Sequence, residues 1–283
     1  MSTIINIDNS FESYQRLINF YDENNDKSFD HIHIELKQWF AANMSATLGA
    51  LLDLLGKNFN EFSFLIPQNI EQVLLKNDFL TFYGREREVD VNHTTIRFQK
   101  LTPNDAKYFK TYVIDELIGR TELPKMSEAV KEKIVECIYE MFVNAQIHSE
   151  TENIYTCGQF FPTKNTIEFT IVDTGVGIKE KVNKFLNKNL TSLQAIKWAI
   201  IDTHSTKDVT GGIGFALLKD FIEKNKGKMQ IVSDRGFYEF GNTGEVSKEF
   251  QGRFPGTIVN LQFNTNDSCN YYLKSEISIN DIL

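Results

Sequence analysis

In the stretch YEMFVNAQIHS (139–149), Glu140, Asn144 and His148 recur every four residues among Met, Phe, Val, Ala and Ile. On a helix such positions differ by about 40° in azimuth, so the three form one slowly drifting line beside the apolar stripe. An acid, an amide and an imidazole in one line can address a single ligand. The same line also reads as the solvated flank of an amphipathic helix, and the choice depends on what else the chain brings near it.

Two other stretches carry chemistry. The apolar run TIEFTIV leads into Asp173-Thr174-Gly175-Val176-Gly177-Ile178. An acid closing a strand, followed by two glycines one residue apart, lets the backbone turn sharply and approach a flat ligand while the carboxylate accepts a hydrogen bond from it. Asp and Gly also make ordinary turns. Further on, Thr210-Gly211-Gly212-Ile213-Gly214 immediately precedes FALLKDFI. Glycines at a helix start expose several N–H groups and the positive end of the helix dipole, an arrangement that suits a phosphate chain. Each motif alone is common; their order is more specific.

In that order and placement the chain resembles the GHKL superfamily of gyrase, heat-shock chaperone, histidine kinase and mismatch-repair ATPases, with its Bergerat fold. Glu140 and Asn144 match the ExxxN of the N box, Asp173, Gly175 and Gly177 the first glycine box, and Gly212 and Gly214 the second. Gly256-Thr257 matches the terminal GT element, so the resemblance covers about residues 125–263. It implies ATP and Mg²⁺ as ligands. Asp173 would accept from the adenine amino group, Thr257 would support the same edge through a water, and Ile178 would contact the nucleotide beside them. Asn144 would hold Mg²⁺ against phosphate oxygens, which Gly211, Gly212 and Gly214 would cradle. Glu140 would orient or deprotonate the nucleophile attacking the γ-phosphate. His148, one turn further, would either support the site or touch the phosphates. Residues 179–210 would form a lid, with Lys207 closing on phosphate or standing as a solvated loop lysine.

The chain departs from these relatives in two places. No histidine lies in PNDAKYFKTYVIDELIGR (103–120), where a histidine kinase would carry its phosphoacceptor. Only a short tail follows GTIVNLQF, so the lysine that gyrase-type members deliver from a following domain is expected from Lys207, from a partner, or not at all. The first half is similar to STAS domains, the α/β modules of anti-sigma factor antagonists, through HIHIELKQWFAANMSATLGALL. In those antagonists a serine at a helix start accepts phosphate. Ser45 and Thr47 lie at that place, although the usual Asp-Ser-Ser-Gly is replaced by Asn43-Met44-Ser45-Ala46-Thr47. Ser45 also reads as a helix N-cap.

The elements needed to position these residues are legible. HIHIEL (31–36) and EFSFLIP (61–67) read as strands, SATLGALLDLLG (45–56) and NIEQVLLKNDFL (69–80) as helices, and TTIRFQKL (94–101) as an edge strand. A connecting helix over 103–120 precedes a long helix over 127–149. Strands at 157–161, 166–173, 228–234 and 256–263 and helices at 191–201 and 215–225 complete an α+β layer. The expected class is α+β: a Bergerat-type sandwich with a mixed sheet and helices on one face, preceded by a smaller STAS-like α/β domain. The units are drawn at 1–102, 103–124 and 125–283.

With 283 residues and a formal charge of −8, the chain's composition opposes the broad basic footprint that nucleic acid or an anionic membrane usually demands and leaves room only for a local basic patch. No run of about 18 apolar residues is present, and the start MSTIINIDNS has no basic n-region or apolar h-region. Three widely spaced cysteines without a CxxC suggest neither disulfides nor zinc. The expectation is a cytoplasmic, Mg²⁺-dependent ATP-binding module with slow hydrolysis. It would signal to a protein partner, encoded nearby, and could act as a homodimer. The alternatives are an anti-sigma-type serine/threonine kinase and a nucleotide sensor without turnover.

Overall fold

The computed structural model describes residues 2–148, 150–201 and 213–276, with the backbone alone for His148 and residues 213–216. In chain order the elements are β1 (Ser2–Ile7), α1 (Phe11–Asp22), β2 (His31–Phe40), α2 (Ser45–Gly56), β3 (Glu61–Leu65), α3 (Gln68–Lys76), β4 (Thr95–Leu101) and α4 (Ala106–Val113). The short β5 (Lys125–Met126) leads to α5 (Glu128–His148), β6 (Ile154–Phe161), β7 (Thr166–Asp173), α6 (Gly177–Leu186) and α7 (Ser192–Ala199). Then come α8 (Ile213–Lys224), β8 (Lys228–Gly241), β9 (Gly244–Asn264) and β10 (Asn270–Tyr271).

Alternation along TIEFTIVD organises these parts, because successive strand residues point to opposite faces. Ile167, Phe169 and Ile171 join one hydrophobic core with α4, α5 and α8, through residues such as Phe109, Ile138, Phe142 and Leu218. Val172 joins a second core with α1, α2 and the first three strands. Both faces of one sheet are therefore covered, by helices on one side and by the N-terminal layer on the other.

That sheet has five strands in the order β4-β6-β7-β9-β8, and every neighbouring pair is antiparallel. The mixed sheet expected of a Bergerat-type sandwich is thus corrected. The connection through α6, α7 and α8 does return the chain parallel to β7, but it lands β8 one position away. Strand β9 folds back from β8 and fills the gap, so each hydrogen-bonded contact is antiparallel. The first half forms a separate three-stranded parallel sheet, β1-β2-β3. Its strand β1 and helix α1 precede HIHIEL (31–36), the first element read from the sequence.

Residues 94–101, grouped by sequence with the first half, supply the edge strand of the five-stranded sheet through pairs such as Lys100 with Tyr155. Helix α4 likewise buries Phe109 and Tyr112 in the core under α5. Among the described residues no helix is long and apolar enough to cross a membrane.

The N-terminal layer docks through polar as well as apolar contacts. The Ala42 amide donates to Gln159 at 2.5 Å and the Asn43 amide nitrogen donates to Thr170 at 3.0 Å. Asp53 accepts from the Tyr155 hydroxyl at 2.5 Å. Ser45 and Thr47, the counterparts of a STAS phosphoacceptor, are both 0% exposed at this junction. Ser45 accepts from Asn77 at 3.1 Å. Neither hydroxyl is open to a kinase in this fold, because the first turn of α2 is pressed toward the sheet.

Candidate functional site

Parity places the acid that closes β7 on the helix-covered face. Asp173 follows Ile167, Phe169 and Ile171 on that side, and Thr257 follows the same rule relative to Val259, Leu261 and Phe263 on β9. The two are direct cross-strand partners, and Thr257 is in turn paired with Ser233 of β8. Three polar side chains from three adjacent strands therefore form a row at one end of the sheet. Ser233 Oγ accepts from the Ile178 amide at 2.9 Å, donates to the Gly256 carbonyl at 2.9 Å, and lies 3.3 Å from the Thr257 hydroxyl.

Two glycines make this corner buildable. Gly256 adopts φ +140°, and a Cβ there would overlap the Asp173 carbonyl oxygen. Gly177 adopts φ +76°, with a Cβ meeting Ser233 Oγ at 2.9 Å. In both cases only glycine supplies the left-handed backbone and the close approach together. Gly175 contributes differently: its amide donates to the Asp173 carboxylate at 2.9 Å.

Asp173 is 8% exposed, and burial pushes its carboxyl up to about 6, against the Gly175 amide and the nearby Lys181 charge, which pull it down. Lys181 is pushed the other way, down to about 8, by burial, with Asp173 and Glu150 opposing the shift. When ionised, the Asp173 carboxylate keeps acceptor positions beyond the one that the Gly175 amide fills.

Helix α5 reaches the same corner. It starts where Ser127 Oγ accepts from the Val130 amide at 3.2 Å, and it buries Val130, Ile134, Ile138 and Phe142. Its far end supplies Ile147, which lines a 330 Å³ cavity with Glu150, Val176, Glu180 and Lys181. Asn144 is exposed and Glu140 half-buried on the turns before Ile147. They are its helical neighbours, although neither lines that cavity. Val176 and Glu180 also border a 680 Å³ cleft, whose other walls include Asp22 of α1 and Arg253. The loop over residues 175–177 is therefore shared by two cavities, one under α5 and one against the N-terminal layer.

The structure brings together Asp173, Gly175, Gly177, Ile178 and Thr257, and Ile147 near the end of α5 lines a cavity with Val176 of the same loop. His148 is the last residue of α5 and only its backbone is described; Gly214 lies in the first turn of α8 under the same condition. Lys207, Gly211 and Gly212 lie outside the described residues. Sequence reasoning missed Lys181 and Ser233. Nothing local marks either one, since a lysine one turn into a surface helix and a serine in a strand are ordinary.

The span expected to form a lid begins with α6 and α7. Thr191 caps α7 by accepting from the Gln194 amide at 3.2 Å, while the Gln194 side-chain oxygen accepts from the Thr191 amide at 2.9 Å. Asp234 joins these helices to β8, accepting from Ser192 at 2.7 Å and from Lys179 at 3.1 Å. Burial works against its charge, but Ser192, Lys179 and Arg253 together hold its carboxyl below the usual range.

Among the described residues no group of three or more His, Cys, Asp or Glu could hold a metal by itself. The exposed Asn144 side chain has an amide oxygen of the kind Mg²⁺ takes when it keeps waters and shares phosphate oxygens with one or two protein groups. No protein-family model matches the chain, and no curated protein matches it.

Proposed function

We propose that this chain is an adenine-nucleotide-binding module of the GHKL type, which takes ATP with Mg²⁺ between the end of β7 and the last turns of α5. The observation that carries the reading is the buried Asp173 carboxylate, aligned with Thr257 and Ser233 and bordered by glycines that admit close backbone approach. Asp173 accepts from an exocyclic amino group, and Thr257 supports that edge. Asn144 offers its amide oxygen to the metal, and Glu140 orients the attacking water. Bound Mg²⁺ supplies charge neutralisation at the phosphates. The backbone amides at the start of α8, where Gly214 lies, are of the kind that suits the phosphates.

Hydrolysis is slow and serves signalling. The loop over residues 175–177 borders both cavities, so a nucleotide that orders it alters the cleft beside Asp22 and Arg253. The N-terminal layer then presents the nucleotide state to a protein partner.

Calorimetry with ATP, ADP and GTP, each with and without Mg²⁺, tests the reading. The expected result is heat with ATP and ADP, none with GTP, and an ATP affinity that falls when Mg²⁺ is removed. Absence of heat with every purine nucleotide overturns it. Incubation with γ-labelled ATP separates the ATPase, which releases labelled phosphate, from a kinase that transfers label to protein.

A further inference from the structure

The sheet face turned away from α5 carries polar rows. Glu168, Gln262 and Lys228 align across β7, β9 and β8, and Thr170, Asn260 and Gln230 align in the next row. Several of these side chains, with Asp8, Trp39 and Phe161, line a 330 Å³ cavity between this face and the N-terminal layer.

Glu168 lines that cavity and is 3% exposed. One carboxylate oxygen accepts from Gln262 Nε2 at 2.6 Å and the other from Asn260 Nδ2 at 2.8 Å. The two lysines nearby are engaged elsewhere: Lys228 pairs with Glu239 at 3.6 Å, and Lys164 lies 5.2 Å from the centre of the Phe161 ring. Burial pushes the Glu168 carboxyl up to about 7, against the pull of its two amide donors and those lysines. A carboxylate has about four acceptor positions, and neutral amides fill two of them without cancelling its charge.

The surrounding amides are occupied with one another. Gln230 donates to the Asn9 carbonyl at 2.7 Å and to Glu239 at 2.7 Å, and accepts from Tyr14 at 3.3 Å and from Asn260 at 3.2 Å. They fix the acids rather than offering donors to the cavity. Among the lining groups Asp8, Glu168 and Glu239 carry three negative formal charges and Lys164 and Lys228 two positive ones, so 2 − 3 leaves −1. Trp39, 40% exposed, stands 6.4 Å from Phe161 at 44° and gives the cavity an aromatic wall. Such faces attract both flat apolar groups and cations.

We propose that this cavity is a second ligand site for a small organic monocation, a primary amine that donates to Glu168 while its apolar or aromatic body rests against Trp39 and Phe161. A single positive charge balances the lining, and the volume lies at the small end of ligand pockets. Asp8 and Trp39 come from the N-terminal layer and Glu168 from the sheet, so occupancy ties the two layers together. The site does not depend on nucleotide binding at the opposite face.

Calorimetry on the full chain with tryptamine as the probe tests this, with tryptophol and indole-3-acetate as uncharged and anionic probes of the same body. Tryptamine is expected to bind one per chain, at least tenfold more tightly than either matched probe. Glu168→Gln and Trp39→Ala are each expected to weaken tryptamine at least tenfold. Circular dichroism checks that the first variant folds; the second alters a part-exposed wall and keeps the test decisive if Glu168→Gln does not fold. Lack of tryptamine binding, equal affinity for tryptophol, or unchanged affinity in the folded variants overturns the proposal.

Discussion

Asp173 and Thr257 are direct partners across β7 and β9, on the face that α5 covers, and the Gly256 backbone before Thr257 packs so closely on Asp173 that no Cβ fits between them. Acid, hydroxyl and glycine are thus one construction, and its parts respond to change in different ways.

Replacing Asp173 with Asn separates function from stability. The carboxyl is raised from 3.8 to about 6 in the fold, so between those values the folded chain holds the proton that the unfolded chain has lost. Its contribution to stability is therefore full below about pH 4 and declines as pH rises through 6. The shift of roughly two units corresponds to about 3 kcal/mol at neutral pH. Asp173→Asn is expected to melt higher than wild type at pH 7.5, with the difference closing toward pH 4, while losing nucleotide binding. Thermal melts across pH and one calorimetric titration check both halves.

Gly256→Ala is expected to be destabilising by roughly 2–4 kcal/mol, through φ strain and overlap with the Asp173 backbone. A lowered urea midpoint is the readout. A variant as stable as wild type would contradict the close approach on which the corner depends.

Lys181 lowers the Asp173 carboxyl through its charge. If ionised Asp173 accepts from the ligand, nucleotide affinity should rise with pH through about 6 in wild type. In Lys181→Met the midpoint of that rise should move to higher pH. Affinity titrations from pH 5 to 8 test the direction, which opposes the intuition that deleting a cation merely weakens nucleotide binding.

Within the long helix, Asn144→Ala is expected to abolish the Mg²⁺-dependent part of ATP binding. Glu140→Ala is expected to retain binding and reduce phosphate release by at least tenfold. Calorimetry and a phosphate assay on the same preparations distinguish the two roles, and Mg²⁺-dependent affinity retained in Asn144→Ala would remove the metal assignment.

Phosphorylation at the start of α2 is not expected. Ser45 and Thr47 are fully buried, and Ser45→Glu would place a charge at the buried interlayer junction, beside the Asn77 amide. Such a charge costs about 3 kcal/mol or more. Mass mapping after incubation with γ-labelled ATP should find neither residue modified, and Ser45→Glu should show a lowered urea midpoint.

The sequence by itself determined the local units. Period-two alternation marked 166–173 as β7, 3.6-residue periodicity marked α5 to within a residue at each end, and SATLGALLDLLG matched α2. Glycine spacing marked the turn after Asp173. These features are readable because each is decided by neighbours in the chain, through propensity, pleat and the φ values only glycine accepts. Tertiary structure alone decided that β9 inserts between β7 and β8 and that β4 joins their sheet. It also decided that the N-terminal layer covers the outer face, burying Ser45 and Glu168. Pairing between residues as far apart in the chain as Thr166 and Asn264 leaves no local trace, because a strand with one apolar face specifies that it must be covered but not by what. Lys181 and Ser233 gain their roles from that pairing and from the burial it imposes.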